Sequence, residues 1–536
     1  MTHTTDHKSQ NRQAKVSRES LRRAEAALAE AVPFGNPDYI DRCTWTRYGH
    51  RLRMIAAEWP VATRLLAAIE TASPECCRRV LGDPAVRGAI NAAVAHFRLH
   101  FEGHLDELES VLAVAIDHLK AGRLSGPLEN ASSLRLGPAG HHGWIWNEGG
   151  TDGPVRHYYR QILHDHVPTV VLQDATVAQN QILVDGTALL DALLPRLSAS
   201  ALTHLHVVAV CNLSTAPGVD ARTGQSQLIS LIEYYYAGFT SLTQTSVLGT
   251  IFLAPCVLHN PWQAAEFLLH EALHNHFVDL EHTHGMLRRG YQEEHSPKIS
   301  VPWNRSRPGM PNEWPMNRCM SVMHVYVAIA LFFSALVDPS AALVERYGPP
   351  HVQEPLYDAQ RAVDRAHYLA EQMKLYSSEM GPAGQRFVDW MLTVLDSLNL
   401  CAPAAEPTLH LLLDLYDREV SEVEEWLQVA KTPLHPSIWK LINDAIQAEL
   451  TGLVEIYATL GEVLPAFKGV SPLEPQTGPE QLATVFRTVR TYVSAALTRL
   501  DPLVQRSGSG PSHRELVLKL VETSGRYINQ IVHRPG

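Results

Sequence analysis

The sequence predicts a mainly α protein with a smaller mixed β region, an α+β fold, in which a metal-bearing HExxH helix follows a short sheet and a helical bundle ends the chain. Helical periodicity fills most of the first 120 and the last 190 residues. Short β-type runs, separated by Gly, Pro and aromatic residues, lie between these two helical regions. The HExxH motif follows the last of those runs.

The amino-acid composition is that of a globular protein without a basic surface for nucleic acids or membranes. The chain has 536 residues, of which 45% are hydrophobic and 19% charged, as in globular proteins that can bury more than one core. Its formal net charge is −11. Because nucleic acids and anionic membranes are recognised by basic surfaces, we expect neither as a partner.

Cysteine usage and the N-terminus favour a cytoplasmic protein. The seven cysteines are scattered without a CxxC pair, so we expect no disulfide scaffold and no thiolate zinc site. Residues 1–20 are polar, and we expect no secretory signal. The most apolar stretch, residues 325–337, is short for a membrane span and is interpreted as a buried helix.

The N-terminal part is predicted to be helical after a tail at residues 1–20. Residues 21–121 have helical periodicity, with breaks at Ser73-Pro74 and at residues 82–84.

Residues 122–340 are predicted to form the mixed α/β catalytic region. Residues 140–146 have turn and strand character, and residues 228–236 are a possible helix. Four further runs are predicted as strands: 169–172, 182–184, 204–210 and 247–253. Asn260-Pro261 then gives a helix start, with Asn as the N-cap and Pro at the first helical position.

Residues 341–536 are predicted to form the C-terminal helical bundle. Breaks are expected near Gly348, Gly381-Pro382 and Ala402-Pro403. This segment offers no motif that indicates chemistry.

The motif that indicates chemistry is His270-Glu271-Ala272-Leu273-His274. Residues four apart lie on one face of a helix, so His270 and His274 can bind one divalent ion. Glu271 is rotated by about 100° from His270 and can lie over that ion as an acid or base. The preceding helix is apolar, and a metal would satisfy two histidines there.

The residue types leave the third ligand open. Phe277 and Leu280 stand where a metzincin has glycine and histidine, so that pattern fails. A later glutamate is one alternative, and His324, which opens a very apolar helix, is another. The glutamates are Glu293, Glu294 and Glu313. We expect no metal role for three further histidines, His276, His282 and His284.

The segment after the motif resembles a known family. Residues 301–308, with Trp303, Arg305 and Arg307, precede His324 in the order found in HExxH-motif peptide β-hydroxylases, which are iron- and 2-oxoglutarate-dependent enzymes of ribosomal peptide natural-product biosynthesis. The resemblance covers roughly residues 249–333 and departs from the family at Asn304, where an arginine is usual.

The resemblance implies a site and a reaction. It implies Fe(II) held by His270, His274 and His324, with open positions for 2-oxoglutarate and O₂. Arg307, with Arg305 as second choice, would pair with the distal carboxylate of 2-oxoglutarate, and Trp303 would lie beside it. Glu271 would then orient a ligand or a water. The expected activity is hydroxylation of the β-carbon of an amino-acid residue in a peptide, or of a free amino acid.

Two other functions remain open from the sequence. A zinc peptidase would use Glu271 as general base and take a glutamate as third ligand. A structural metal protein would close the site with a fourth protein ligand. The sequence does not indicate the substrate or the oligomeric state.

Overall fold

The computed structural model describes most of the first 400 residues and part of the remainder. The described residues are 16–101, 104–128, 132–137, 141–149, 152–213, 241–243, 246–301, 303, 313–352, 355–398, 400, 423, 427, 436–459, 478, 481–482, 484–485, 488–489 and 520. Within them the chain is mainly helical with a small mixed sheet, so the predicted fold class is confirmed.

Six described helices precede the sheet, in the region that the sequence predicts to be helical. They are α1 (Arg18–Ala29), α2 (Pro37–Ile55), α3 (Pro60–Thr71), α4 (Pro74–Gly82), α5 (Pro84–Leu99) and α6 (Leu105–Lys120). Five of the helix boundaries follow directly from local chemistry, because proline opens α2 to α5 and the side chains of Ser17, Asn36, Ser73 and Asp83 cap helix N-termini. The predicted breaks at Ser73-Pro74 and residues 82–84 are confirmed.

The described sheet has six strands with both parallel and antiparallel pairs. They are β1 (Ser132–Leu136), β2 (His141–Ile145), β3 (Val170–Gln173), β4 (Val207–Leu213), β5 (Ser241–Leu242) and β6 (Thr250–Leu253). The order is β1-β2-β4-β6-β5, with β3 antiparallel to the end of β4. In the central parallel pair of β4 and β6, Val207 lies opposite Thr250. Continuous apolar sequence suits these two strands because residues 207–211 of β4 and all of β6 are buried.

One predicted strand is wrong. Residues 182–184 lie inside α8 (Val177–Leu193), between α7 (Pro154–His166) and α9 (Pro195–Leu202). Thr176 and Gln179 form a capping box that starts a helix upstream of the apolar run, and a run of three residues cannot override it. The predicted helix at residues 228–236 lies outside the described residues.

Helices dominate again after the sheet. They are α10 (Pro261–Thr283), α11 (Met316–Leu336), α12 (Ala341–Tyr347), α13 (Pro355–Leu375), α14 (Pro382–Leu398) and α15 (Pro436–Thr459). Predicted breaks near Gly348 and at Gly381-Pro382 are confirmed, whereas Ala402-Pro403 lies outside the described part of the chain. Helix α11 is the one helix in that part that is long and apolar enough to cross a membrane, and 83% of its most apolar window is buried. A buried interior helix of this composition agrees with the interpretation of residues 325–337.

The chain divides into two compact units. The first is Met1–Ser296 with Met316–Leu400, and it holds the sheet, α1 to α14 and the HExxH motif. The second is Pro297–Pro315 with Cys401–Gly536. In it, β7 (Ile299–Ser300) pairs antiparallel with β8 (Glu313–Trp314), and α15 buries Ile442, Ala445, Ile446 and Leu453 on one face. The finer division at residues 20, 121 and 340 stays a prediction.

Candidate metal centre

Helix α10 carries the motif and begins where the sequence predicts. The side chain of Asn260 accepts a hydrogen bond of 2.8 Å from the backbone N–H of Trp262, and Pro261 takes the first helical position. Asn275 fastens the middle of the helix to the sheet, because its Oδ1 accepts a 2.8 Å bond from Gly249 N–H in the turn before β6. Gly249 has a φ of +81°, a conformation that glycine adopts without strain.

His270 and His274 lie side by side on one face of α10, and both are partly buried. Their ring centres are 5.1 Å apart and their planes are inclined by 63°. The His270 side chain is 34% exposed, so this imidazole can be reached from solvent. This is the arrangement that the four-residue spacing predicts.

Ser321, on α11, fixes the ring of His274. Its Oγ lies 2.8 Å from His274 Nδ1. With the proton on Nδ1, that N–H donates to the hydroxyl and Nε2 keeps its lone pair for a metal, as in other sites where a second hydrogen bond orients a ligating histidine. Burial, followed by the nearby His270, lowers the pKa of His274 to about 4, so the imidazole is neutral near pH 7.

Glu271 is buried and held by two hydroxyl groups. Ser241 in β5 donates to its Oε1 and Thr243 donates to its Oε2, each at 2.5 Å. Oε1 is also 3.9 Å from His270 Nε2. The carboxylate is therefore fixed beside the histidine pair, with each oxygen already bound to a donor.

His324 lies on the helix that packs against α10, but its ring is beside a different histidine. Its ring centre is 5.0 Å from that of His276, and its other ring contacts are with Phe387 and Trp390 in α14. Burial lowers the pKa of His324 to about 3. Ser321, one turn earlier on α11, makes the contact with His274. The two helices pack against each other. The charge of His274 acts on His324, while the ring contacts of His324 are with His276 and with α14.

A buried polar network holds the face of α10 opposite the histidine pair. Asp279 pairs with the Arg87 guanidinium of α5, and its other oxygen lies 2.8 Å from His204 Nδ1. The Arg87 guanidinium holds the pKa of Asp279 well below its usual range, against the effect of burial. His276 Nε2 lies 2.8 Å from the backbone oxygen of Phe34, and its ring stacks on His204 at 4.4 Å. These groups fix the rotation of α10 about its axis.

The remaining predicted residues come from the segment 293–313, which follows α10 in the chain. Glu293 and Glu294 are exposed in a short 3₁₀ turn, and Glu313 is exposed in β8. Trp303 is buried in the second unit, with its ring 6.2 Å from that of Trp314. Arg305 and Arg307 lie outside the described residues.

The three histidines with no expected metal role are buried or lie at the helix end. His276 belongs to the buried network, His282 is in the last turn of α10, and His284 is the C-cap with its ring 5.9 Å from Phe34.

The described residues fit part of a metal site. His270 and His274 supply two imidazole groups of the type that iron and zinc bind. Among the described ranges, no group of three or more His, Cys, Asp or Glu side chains is arranged to hold a metal ion. The third-ligand role of His324 therefore stays a prediction.

Sequence reasoning did not find Ser241, Thr243 or Ser321. Serine and threonine are too common for a pattern to single out, and the first two contact Glu271 only because β5 packs on α10. The spacing of Ser321 and His324, one helical turn apart, is the one local feature that could have suggested Ser321.

Comparison with known proteins adds no relative. No protein-family model matches the chain, and no curated protein sequence is similar to it. The resemblance to the peptide β-hydroxylases accordingly rests on the motif residues.

Proposed function

We propose that this chain is a non-haem Fe(II)- and 2-oxoglutarate-dependent oxygenase that hydroxylates the β-carbon of an amino-acid residue, in a peptide or as the free amino acid. The observation that carries the proposal is the histidine pair, with Ser321 on His274 and the fixed Glu271 beside His270. The family resemblance of residues 249–333 supplies the reaction class.

Each residue of the pair has a defined part. His270 and His274 would hold the metal through Nε2, and His324 is the proposed third ligand. Bound Fe(II), with O₂ and 2-oxoglutarate, supplies the oxidising power to insert one oxygen atom into a C–H bond, and the other oxygen atom leaves in succinate as CO₂ is released. Arg307, or Arg305, is the proposed partner of the distal carboxylate, with Trp303 nearby in sequence.

Glu271 suits a positioning role in this reaction. Both of its oxygens already accept a hydroxyl hydrogen bond, which fixes the carboxylate beside His270. A fixed acceptor can orient a water or a substrate N–H by its remaining lone pairs. Hydroxylation requires no general base to activate water.

The second candidate is a zinc peptidase. The observation in its favour is the 3.9 Å between Glu271 Oε1 and His270 Nε2, which would bring a carboxylate near the water of a zinc ion held by that imidazole. It requires one of the later glutamates as third ligand, and Glu293 and Glu294 are exposed.

Anaerobic loading with Fe(II) or Zn²⁺ separates the two functions. The iron-loaded protein should consume O₂ and convert 2-oxoglutarate to succinate, and His270→Ala should abolish both. His164→Ala is the matched control, because His164 is exposed on α7. Hydrolysis of peptides by the zinc-loaded protein without O₂ would establish the peptidase instead.

A further inference from the structure

A cluster of cationic side chains lies at the C-terminal end of α10, away from the histidine pair. The cluster consists of Arg47 and Arg51, on consecutive turns of α2, Arg87 of α5 and His282 of α10. Helix α2 packs against both α5 and α10. His282 is eight residues beyond His274, about 12 Å along the helix axis, so one small molecule cannot contact both places.

Arg87 is the fixed member of the cluster. Its Nε donates to Tyr48 Oη at 3.0 Å, and its guanidinium pairs with Asp279. The second oxygen of Asp279 is taken by His204. This carboxylate is therefore fully used by Arg87 and His204 and does not bond to the other two arginines.

Within the described part of the chain, the other members of the cluster make no direct hydrogen bond or ion pair with an acidic side chain, although the charge of Asp279 acts on Arg47 and His282. Arg51 donates to the side-chain oxygen of Asn91, which is neutral. Arg47 is half-buried and makes no hydrogen bond or ion pair with any residue that the structure describes. His282 Nδ1 is buried and lacks a hydrogen-bond partner in the same part of the chain.

The charge of the cluster is unbalanced. Three guanidinium groups face one carboxylate, which leaves an excess of two positive charges in a half-buried place. Burial, followed by the charge of Arg51, lowers the pKa of Arg47. Burial also lowers the pKa of His282 to about 4, so its imidazole is neutral and can donate one N–H. Partly buried like charges lower the stability of the folded protein unless an opposite charge binds beside them.

We propose that the arginine cluster binds a small dianion through its oxygen atoms, either a phosphate or a dicarboxylate. Guanidinium groups present paired N–H donors that match the oxygens of both anions. Arg47 and Arg51 would bind the anion from consecutive turns, and the His282 N–H would complete the set. The bound anion joins α2, α5 and α10, independently of the metal centre.

Thermal unfolding of the full chain tests the proposal. In Tris chloride, added inorganic phosphate or succinate should raise the melting temperature in a saturable way, beyond the effect of sodium chloride at equal ionic strength. The anion with the lower half-saturation concentration is the ligand class. Absence of a saturable response to both anions overturns the proposal.

Two variants make the test specific. Arg47→Gln should weaken the anion response by about 10-fold or more, because it removes a charge-assisted hydrogen bond. Arg53→Gln is the matched control, since Arg53 is exposed on the same helix, and it should respond like the wild type. An equal loss in both variants shows a nonspecific effect and overturns the site.

The anion-free melting temperature separates a binding role from a structural one. Arg47→Gln should then melt at or above the wild-type temperature, because the substitution removes a half-buried charge beside two like charges. A lower melting temperature with an unchanged anion response means that Arg47 stabilises the fold, and the proposal is wrong.

Discussion

Single hydrogen bonds decide what the imidazoles of this site can do. With the proton on His274 Nδ1, the contact with Ser321 Oγ leaves Nε2 free to bind a metal. Burial favours the same neutral state, because it lowers the pKa of His274. The ring is thus oriented and in the protonation state for a metal before any metal binds.

Replacing Ser321 should weaken metal binding and leave the fold intact. We expect Ser321→Ala to lower the metal affinity by about 10- to 100-fold, the usual effect of losing such a supporting hydrogen bond. Competition with a coloured chelator measures the affinity. Ser334→Ala is the control, because Ser334 is a buried serine of the same helix that bonds to the backbone of Ala330. Equal affinities for Ser321→Ala and the wild type would contradict the assigned role.

Removing the hydrogen bonds to Glu271 should lower the rate of turnover and have little effect on the affinity for metal. The Ser241→Ala, Thr243→Val pair removes both hydroxyl donors, so the carboxylate loses its fixed orientation. We expect kcat to fall by about 10-fold or more while metal content stays near that of the wild type. Succinate formation and metal analysis give the two readouts. A loss of metal with no separate effect on kcat would argue against positioning by Glu271.

Some residues of the candidate site could be predicted from the sequence and others could not. The pair of His270 and His274 was predictable because both lie on one helix and local geometry sets their separation. The position of His324 was not, because it depends on how α11 is rotated against α10. The ring of His324 contacts His276, Phe387 and Trp390, and all three residues lie far from His324 in the sequence.

At the scale of elements, α10 is positioned by buried polar contacts as well as by apolar packing. Asn275 bonds to the turn before β6, and Asp279 ties the helix to α5 and to His204. The start of α10 was predictable from Asn260-Pro261, and the start of α8 was available in the Thr176 capping box. The pairing order of the strands could not be predicted, because parallel pairs such as β4 and β6 join segments that are distant in sequence.

Breaking the Asp279 network should destabilise the fold strongly. Asp279→Asn leaves the Arg87 guanidinium buried without its counter-charge, which typically costs about 3–5 kcal/mol. Urea unfolding near neutral pH measures the change. Asp165→Asn is the control, because Asp165 is exposed on α7, and it should change the free energy of unfolding by less than about 0.5 kcal/mol. A loss below about 1 kcal/mol for Asp279→Asn would contradict the network's role.

At the scale of the whole molecule, buried neutral histidines make stability depend on pH. Burial lowers the pKa of His206 and His276 well below the ordinary value, and that of His324 to about 3. In the unfolded chain each titrates near about 6.5. Their contribution is therefore complete above about pH 6.5 and is lost as the pH falls toward the folded pKa.

Mild acid should thus destabilise the metal-free protein. Between about pH 7.5 and pH 5, each fully buried histidine should remove about 2 kcal/mol, because the unfolded state binds the proton. Melting curves in the presence of a chelator measure the effect. His324→Phe should make the melting temperature depend less on pH. His164→Phe should leave the pH dependence unchanged, because the His164 side chain is exposed. A melting temperature that stays constant over this pH range would contradict the interpretation that these histidines are buried and neutral.

The measurement that tests the central claim most directly is the metal content of the full chain after loading and dialysis, compared among single histidine variants. The account predicts about one ion per chain for the wild type and for the exposed control His164→Ala, and almost none for His270→Ala and His274→Ala. His324→Ala would show whether this residue is the third ligand. Equal metal content in the wild type, His270→Ala and His274→Ala would contradict a metal centre on α10.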